Sequence, residues 1–453
     1  MTRMHRIVLA AVCLWMMAWA AYGDPAPASV EKSLDVAPVW SGHPVGFALL
    51  TQGNRQYVAF YDAKRQMTVA SRQLDQDAWQ FTRLPSTVGW DSHNYVTMAM
   101  DEQHQLHVSG NMHCVPLVYF RTTRPYDASS LERIPAMTGQ NEARCTYPRF
   151  LRGAGNELLF TYRDGRSGNG EQIWNVYQPS DRTWRRLLDR PLFSGQGKMN
   201  AYFAGPVRDR AGMFHLCWVW RDTPDCATNH DLCYARSKDL VHWETSGGRP
   251  LELPIVLSTA EVVDPVPAGG GMINGNTVLG FDGQDRPIIS YHKFDAAGKT
   301  QIYNARREPD GWKIHQASRW DYRWEFHGGG SIGFGVHVGP VECRPDGTLV
   351  QNFGNPQDGS GLWTLNAATL AAEGRARAAA ERPGRIGKVE SSVPGMSVRT
   401  CGDAGQSDEP GVQYLLRWET RPPNRDRPYE GDPPPPSMLR VYQWKTGVVG
   451  KKM

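Results

Sequence analysis

The segment DRAGMFHLCWVW, residues 209–220, carries the pattern that decides the fold. A polar turn, Asp209–Gly212, leads into an apolar run, Met213–Trp220, whose length suits one buried strand. A second polar turn follows in SKDLVHW and closes on Trp243, one residue short of the Asp-box pattern Ser-x-Asp-x-x-x-x-Trp. The segment therefore predicts short strands joined by tight turns, closed by a tryptophan.

Similar strand centres recur along the chain at intervals of about fifty to seventy residues. They begin at Gln56, Gln105, Glu157, Met213, Arg286, Thr348 and Val412. A repeat of this length predicts an all-β fold, a seven-bladed β-propeller that forms a single domain over residues 24–453. A pair of long β-sandwiches is the alternative. An alanine-rich stretch, residues 365–384, predicts a helical insertion in the sixth or seventh blade.

The N-terminus predicts export. Arg3 and Arg6 precede the apolar run Ile7–Ala21, which is too short to span a bilayer comfortably. Small residues then allow cleavage after Gly23, so residues 1–23 are expected to be a signal peptide and the mature chain periplasmic or secreted. An uncleaved membrane anchor is the alternative.

Composition narrows the range of partners. The chain has 50 Lys and Arg against 46 Asp and Glu, a formal net charge of +4 without a basic cluster, which argues against a nucleic-acid partner. An anionic substrate is compatible with this balance. One of the eight cysteines, Cys13, leaves with the signal peptide, and the odd number that remains cannot all form disulfides.

The stretch richest in histidine runs from Trp90 to His113. His93 and His113 flank a predicted hairpin, so they fall at matching ends of adjacent strands and face the same side. Asn94 and Asn111 lie near them. A single histidine is more often a packing residue, but two in this arrangement favour a functional site.

A second candidate group lies in residues 145–170, where Tyr147 opens one predicted strand and Arg163 closes the next. A hairpin of this length brings both residues to the same rim. Asp164 and Arg166 follow before a glycine-rich turn. From spacing alone, an ordinary β-turn with a surface salt bridge is the simpler interpretation.

Cysteine and histidine form a third group. His230 and Cys233 are spaced to clamp one ion with Cys217 and His292, and this mixture of thiolate and imidazole is typical of tetrahedral zinc. No open coordination position is evident, so such a site would be structural. Disulfide pairing among Cys217, Cys226 and Cys233 is the alternative.

His43 precedes a proline at the start of a predicted strand, in WSGHPVGFALL. A histidine at such a rim is exposed to solvent or ligand. A plain strand-start residue is the alternative.

In order along the chain, the segments SHNYV, HVSGNMH, YPRF, YRDG, CWVWRDTPD and NHDLCYARS resemble the β-propeller polysaccharide lyases and rhamnosidases that carry the fourth type of BNR repeat. That group includes ulvan lyases, L-rhamnose-α-1,4-D-glucuronate lyases and propeller α-L-rhamnosidases. The resemblance extends from about Trp40 to about Phe353.

The resemblance implies a lyase reaction and its residues. The lyases of the group use two histidines, a tyrosine and an arginine on one face, and their motifs fall here on His93, His113, Tyr147 and Arg163. The implied reaction is β-elimination at the uronate of an L-rhamnose-α-1,4-D-glucuronate linkage, without a metal in the chemistry. The implied partner is a rhamnose-capped, uronic-acid-containing polysaccharide or oligosaccharide.

Other side chains are expected to bind the substrate or to stabilise the fold. The expected substrate-binding residues are Asn94, Arg166, Arg221 and Asn229, and Trp218 or Trp220 would offer a stacking face if exposed. The resemblance to ulvan lyases also implies a structural Zn²⁺ on the cysteine and histidine group described above.

Two alternatives to a lyase stay open at the level of sequence. The propeller rhamnosidases act on the opposite face through a histidine near the N-terminus, and GHPVGF resembles that region, so His43 is their candidate residue. A non-catalytic carbohydrate-binding propeller is the other alternative.

Overall fold

The structure is a computed structural model that describes residues 30–377 and 384–445. The predicted signal peptide, residues 1–23, lies outside these ranges. Within them, no helix is both long and apolar enough to cross a membrane.

The described chain is built almost entirely from short β-strands. In chain order they are β1 (Val30–Val39), β2 (Ala48–Gly53), β3 (Arg55–Tyr61), β4 (Gln66–Gln73), β5 (Gln80–Thr87), β6 (Val96–Met100), β7 (Leu106–Gly110), β8 (His113–Val115), β9 (Tyr119–Thr122), β10 (Leu131–Arg133), β11 (Cys145–Arg152), β12 (Leu158–Arg166), β13 (Asn169–Gln178), β14 (Thr183–Arg186), β15 (Asn200–Arg208), β16 (Phe214–Arg221), β17 (Asn229–Ser237), β18 (Trp243–Glu244), β19 (Pro250–Leu251), β20 (Glu261–Asp264), β21 (Val278–Phe281), β22 (Pro287–Phe294), β23 (Thr300–Glu308), β24 (Gly311–Gln316), β25 (His337–Cys343), β26 (Leu349–Asn355), β27 (Gly359–Leu365), β28 (Ala372–Ala376), β29 (Ser397–Gly402), β30 (Gln406–Ser407), β31 (Val412–Thr420) and β32 (Ser437–Lys445). Three short 3-10 helices span Ala128–Ser130, Cys226–Thr228 and Gly384–Gly387.

Within the described ranges these strands form seven sheets, numbered here along the chain. Sheet 1 is built on β2 to β5, sheet 2 on β6, β7, β9 and β10, and sheet 3 on β11 to β14 with β8 at its edge. Sheet 4 contains β15 to β20, sheet 5 β21 to β24, and sheet 6 β25 to β28. Sheet 7 combines β29, β31 and β32 with the N-terminal β1, so both ends of the described chain meet in one sheet.

Sheets 1 to 6 contact one another in the order in which they follow along the chain. The first strands of neighbouring sheets contact each other, as β2 does β6, β6 does β11, and β21 does β25, and β2 also contacts β29 of sheet 7. Each of the seven predicted strand centres lies in the second strand of its own sheet. The predicted all-β fold is therefore confirmed, while the arrangement of the sheets as seven blades stays a prediction.

The hydrophobic core lies between neighbouring sheets. Trp174 of sheet 3 packs in one cluster with Trp218 and Cys233 of sheet 4. Cys217, from the opposite face of sheet 4, packs in another cluster with Tyr291 of sheet 5. Because both faces of a sheet are buried in this way, its strands read as continuous apolar runs, as Met213–Trp220 does.

The predicted helix at residues 365–384 is wrong in its described part. Leu365 ends β27, and Ala372–Ala376 forms β28, which pairs along β27. The alanine-rich composition favours a helix only weakly, and the open edge of β27 offers hydrogen bonds that outweigh this preference. Residues 378–383 lie outside the described ranges.

The candidate catalytic residues lie at one end of the sheets. In each of the seven sheets, the first strand begins and the second strand ends at this end. We call these strand ends, with the loops next to them, the site rim.

Candidate active site

Asp91 forms the centre of a histidine cluster at the site rim. Its carboxylate bonds the Nδ1 atom of His93 at 2.7 Å through one oxygen and the Nδ1 atom of His113 through the other. The two imidazole centroids lie 4.4 Å apart. In the hairpin of β6 and β7, Val96 pairs with Gly110. His93, which precedes β6, and His113, which follows β7, therefore lie close together, as the sequence predicts.

The charges in this cluster support one another. Desolvation lowers the pKa of His93, but hydrogen bonds from its ring to Asp426 and Asp91 outweigh this and raise the pKa to about 9. Burial acts to raise the pKa of Asp91, but the two imidazoles hold it well below its usual range. His93 is therefore a cation at neutral pH and not a free base.

Arg163 occupies the neighbouring part of the rim, at the end of β12. Arg163 is only 2% exposed. Its guanidinium donates to the hydroxyls of Thr146 (3.1 Å) and Tyr202 (3.3 Å), and its Cζ atom lies 5.0 Å from the ring centre of Tyr147. No acidic side chain of the described chain lies within salt-bridge distance of it. Arg163 is thus a buried cation whose partners are hydroxyls, a thiol and aromatic rings, with no carboxylate among the described residues.

Tyr147 lies between the histidine cluster and the part of the rim that holds Arg163 and Tyr202. Its ring centre lies 5.6 Å from that of His93 and 6.0 Å from that of Tyr202. Its backbone has φ +57°, a left-handed conformation that is costly for a tyrosine and that clusters at functional sites. Burial and the neighbouring Tyr202 raise the pKa of Tyr147 above its usual value.

Tyr202 is the residue that sequence reasoning missed. Burial acts to raise its pKa, but the guanidinium groups of Arg163 and Arg221 outweigh this and lower it below the usual tyrosine value. Its hydroxyl also lies 2.6 Å from that of Ser167. Tyr202 is the third residue of β15, the first strand of sheet 4, and no local sequence motif marks it.

The expected substrate-binding residues separate into two groups. Arg221 ends β16 at the rim, with its guanidinium fixed by backbone carbonyls and by Asn274 (3.3 Å). Arg166 is exposed at the end of β12. Asn94 is half-buried, and its backbone carbonyl accepts a hydrogen bond from the hydroxyl of Tyr61 at 2.6 Å. Asn229 is completely buried, and its side-chain amide donates to the carbonyl of Cys226 at 2.6 Å, which stabilises a turn. The two tryptophans considered as stacking faces, Trp218 and Trp220, are also fully buried.

The predicted zinc site is wrong. Cys217 pairs with Tyr234, and Cys233 with Trp218, so the two thiols point to opposite faces of sheet 4 and lie in different core clusters. His292 follows Tyr291 on β22 of sheet 5, and adjacent residues of a strand point to opposite faces. The ring of His292 therefore points away from the face that packs on Cys217 and contacts Trp324 instead.

The fourth predicted ligand is also engaged elsewhere, since both ring nitrogens of His230 bond carboxylates, those of Asp231 and Asp222. The alternative of disulfides is not borne out either, because every cysteine of the described chain is free.

A different group of side chains, outside the predicted zinc ligands, does have donor atoms close enough together to share an ion. Among the described residues, only the atoms of Asp91, His93 and His113 all lie within 4.8 Å of one another. Zinc ligands at about 2.1 Å in tetrahedral geometry lie roughly 3.4 Å apart. The 2.7 Å between Asp91 and His93 is shorter and is the distance of a charge-assisted hydrogen bond, so the group fits hydrogen bonding better than a metal.

His43 lies on the site rim and not on an opposite face. It precedes β2, and its ring centre is 5.8 Å from that of Trp90, next to Asp91. His43 is only 2% exposed, and its Nδ1 accepts a hydrogen bond from Trp40 at 2.8 Å. Burial lowers its pKa to about 4. In this structure the neutral imidazole of His43 is enclosed and packs beside Trp90.

Comparisons with solved structures show the same fold. The polysaccharide lyase Uly1 matches at a TM-score of 0.60 and 12% identity, over 92% of this chain and 99% of that one. A PL25 ulvan lyase matches at a TM-score of 0.58 and 14% identity, over 92% and 96%. The same type of ulvan lyase bound to -[GlcA(1-4)Rha3S]- matches at a TM-score of 0.57 and 14% identity, again over 92% and 96%.

Comparisons of sequence give the family. No curated protein matches the chain. The profile described as "BNR repeat-containing family member" matches residues 55–320, more than half of the chain and most of the stretch in which the motifs were found. The chain therefore belongs to the BNR repeat-containing family.

Proposed function

We propose that this protein is a polysaccharide lyase that cleaves a 4-linked uronic acid by β-elimination. The observation that carries the proposal is Arg163, a buried cation without an acidic partner among the described residues. Burying an unpaired charge is costly, so such a group is expected where an anionic ligand completes it. A uronate carboxylate is that ligand, because a guanidinium pairs with a carboxylate through two parallel hydrogen bonds.

The reaction needs this charge. The hydrogen on C5 of a uronate is acidic because the carboxylate is next to it, and its removal places a second negative charge on the same group. Arg163 neutralises the carboxylate and stabilises the enolate-like intermediate, in the manner of an oxyanion hole. The C5–H and C4–O bonds break, a C4–C5 double bond forms, and the oxygen on C4 leaves with a proton.

The tyrosines are suited to removing the C5 proton. A general base must be deprotonated near the working pH, and of the two phenols Tyr202 has the lowered pKa. Tyr147, whose pKa is raised, remains protonated and packs with its ring against that of Tyr202. We assign the C5 proton to Tyr202, with Tyr147 fixing its geometry.

His93 is suited to the opposite role. As a cation it donates a proton to the leaving oxygen, and Asp91 stabilises the charge before that transfer. His113, held by the other oxygen of Asp91, is assigned to orienting the substrate. This arrangement separates base and acid along the rim, with Tyr147 between them.

The finer substrate proposal is an L-rhamnose-α-1,4-D-glucuronate linkage in a polysaccharide outside the cytoplasm. It is supported by the motif resemblance and by the fold that the chain shares with an ulvan lyase bound to a glucuronate–rhamnose repeat. The proposed location in the periplasm or medium rests on the predicted signal peptide.

The test compares a rhamnose-capped glucuronide with its carboxyl-reduced counterpart, in which glucose replaces glucuronate. We expect an ultraviolet-absorbing, unsaturated product from the first and none from the second. Cleavage of both substrates at similar rates would contradict the proposal, since the reduced sugar lacks the acidic C5 hydrogen and the anion that Arg163 binds.

A further inference from the structure

The segment between β31 and β32, residues 421–436, reaches from sheet 7 onto the histidine cluster. Its sequence, RPPNRDRPYEGDPPPP, is rich in proline and lies beyond the region matched by the family profile. We call it the C-terminal loop. Asp426 stands near its middle and is the loop's point of contact with His93.

The carboxylate of Asp426 binds groups from two other sheets. One oxygen accepts a hydrogen bond from the backbone N–H of Ser92 at 3.1 Å. The other accepts from the backbone N–H of Ser331 at 2.9 Å, in the loop before sheet 6, and lies 3.4 Å from Nδ1 of His93. Asp426 therefore joins loops of sheets 2, 6 and 7 at the histidine cluster.

The neighbouring residue anchors the C-terminal loop. The backbone N–H of Arg425 donates to the carbonyl of Ser331 at 2.9 Å, and its guanidinium donates to the carbonyls of His327 (2.8 Å) and Gly329 (3.1 Å). Arg425 and Asp426 have φ values of +51° and +60°. Two consecutive left-handed residues other than glycine are strained, and such strain persists where the surroundings fix the backbone.

We propose that Asp426 is a positioning residue that holds His93 in its cationic, proton-donating orientation, and that the C-terminal loop exists to deliver it. The inference rests on the proposed lyase function. Asp91 carries one negative charge but is shared by two imidazoles. A second carboxylate gives His93 a counter-charge that it does not share with His113.

The other groups that face His93 do not supply this charge. They are the hydroxyl of Ser331 at 3.5 Å, the ring of His113 and the ring of Tyr147. The only carboxylates with a contact to His93 in the described chain are Asp91 and Asp426. Loss of Asp426 therefore leaves one carboxylate for two histidines and lowers the pKa of His93.

The test uses Asp426→Asn, since asparagine has the same shape and tolerates a left-handed backbone. Asp432→Asn is the matched control, because Asp432 is an exposed acid on the same loop. Titration of ring signals in ¹⁵N-histidine-labelled protein, assigned by loss of one signal in His93→Gln, measures the pKa directly. We expect a lower His93 pKa in Asp426→Asn and an unchanged one in the control.

Activity gives a second readout. One opposite charge at this distance changes proton affinity by about tenfold or more, so lyase activity should fall about threefold to tenfold between pH 8.5 and 9.5, with little change near pH 6.5. Asp426→Glu should restore part of the alkaline activity. If Asp426→Asn does not fold, Asp426→Gly replaces it, since glycine adopts φ +60° without strain.

The outcomes separate the two proposals. An unchanged His93 pKa in a folded Asp426 variant overturns the inference, whatever the protein's activity. A loss of activity that is uniform across pH also overturns it, because a purely structural role would give that result. If the wild type forms no unsaturated product, the proposed function fails, and the titration still decides the role of Asp426.

Discussion

Replacement of Arg163 by glutamine tests the electrostatics of the site. Arg163 is 2% exposed and has no acidic partner in the described chain, so its charge acts on a bound carboxylate in a poorly solvated environment. Two unit charges at about 4 Å interact by about 4 kcal/mol at an effective dielectric constant near 20. Part of this is already realised when the substrate binds, which leaves a loss of about a hundredfold to a thousandfold in kcat, as for other buried stabilisers of a developing anion.

The same substitution should not cost stability. A buried cation without a carboxylate partner is desolvated without full compensation, so removing it is expected to leave the melting temperature equal or higher. Initial rates of ultraviolet-absorbing product and a thermal melt are measured side by side for Arg163→Gln, Arg163→Lys and the control Arg185→Gln, an exposed arginine on β14 of the same sheet.

We expect the lysine variant to retain intermediate activity, since it keeps the charge but loses the paired hydrogen bonds. The control should match the wild type. A glutamine variant that is destabilised, or that is folded and within tenfold of wild-type activity, would refute the reasoning.

Four further predictions follow from the site. Activity should disappear as the pH rises through about 9, because His93 then loses its proton. Since folding raises the pKa of His93, its contribution to the free energy of unfolding should be complete below about pH 6.5 and lost as the pH rises through about 9. An activity that stays constant from pH 7 to 10 would contradict this. Tyr147→Phe and Tyr202→Phe should each lower kcat about a hundredfold or more, and the double variant should lose much less than the product of the two losses. A double variant whose loss equals that product would show that the two tyrosines act independently. His43→Ala should lower the melting temperature by creating a buried cavity but leave unsaturated product forming, and a folded, inactive variant would restore the hydrolase alternative. Chelator treatment should leave the melting temperature unchanged and Cys233→Ser should not alter metal content, while one tightly bound zinc per chain would revive the metal site.

The fold was predictable because its signal repeats. Each apolar run, such as Met213–Trp220, is buried on both faces between neighbouring sheets, so the same pattern recurs once per sheet. The exception was the alanine-rich stretch. Composition there favours a helix, but the pairing of β28 along β27 is decided by a neighbouring strand that local sequence does not describe.

The candidate site was predictable where its residues flank a hairpin. His93 with His113, and Tyr147 with Arg163, are each brought together by one hairpin, and both pairs meet. Residues contributed by other sheets carry no such signal. Tyr202 and Asp426 reach the site only through the order of the sheets, so a single sequence does not reveal them.

The zinc prediction failed for a related reason. The spacing of Cys217 and Cys233 suggested proximity, but residues on paired strands share a face only if the register allows it. Here the register places the two thiols on opposite faces. A similar lesson applies to His43, whose position before β2 places it on the same rim as the lyase residues.

The most direct test of the account is the mass of the product formed in water enriched in ¹⁸O. Elimination consumes no water, so both fragments of a rhamnose-capped glucuronide should carry no heavy oxygen from the cleavage, and the uronate fragment should be lighter than its hydrolysis product by one molecule of water. Because a free reducing end exchanges its oxygen slowly with solvent, the fragments are reduced with borohydride immediately after quenching. A saturated uronate, with ¹⁸O in one of the two fragments, would show hydrolysis and contradict the assignment of Arg163, Tyr202 and His93 to a lyase.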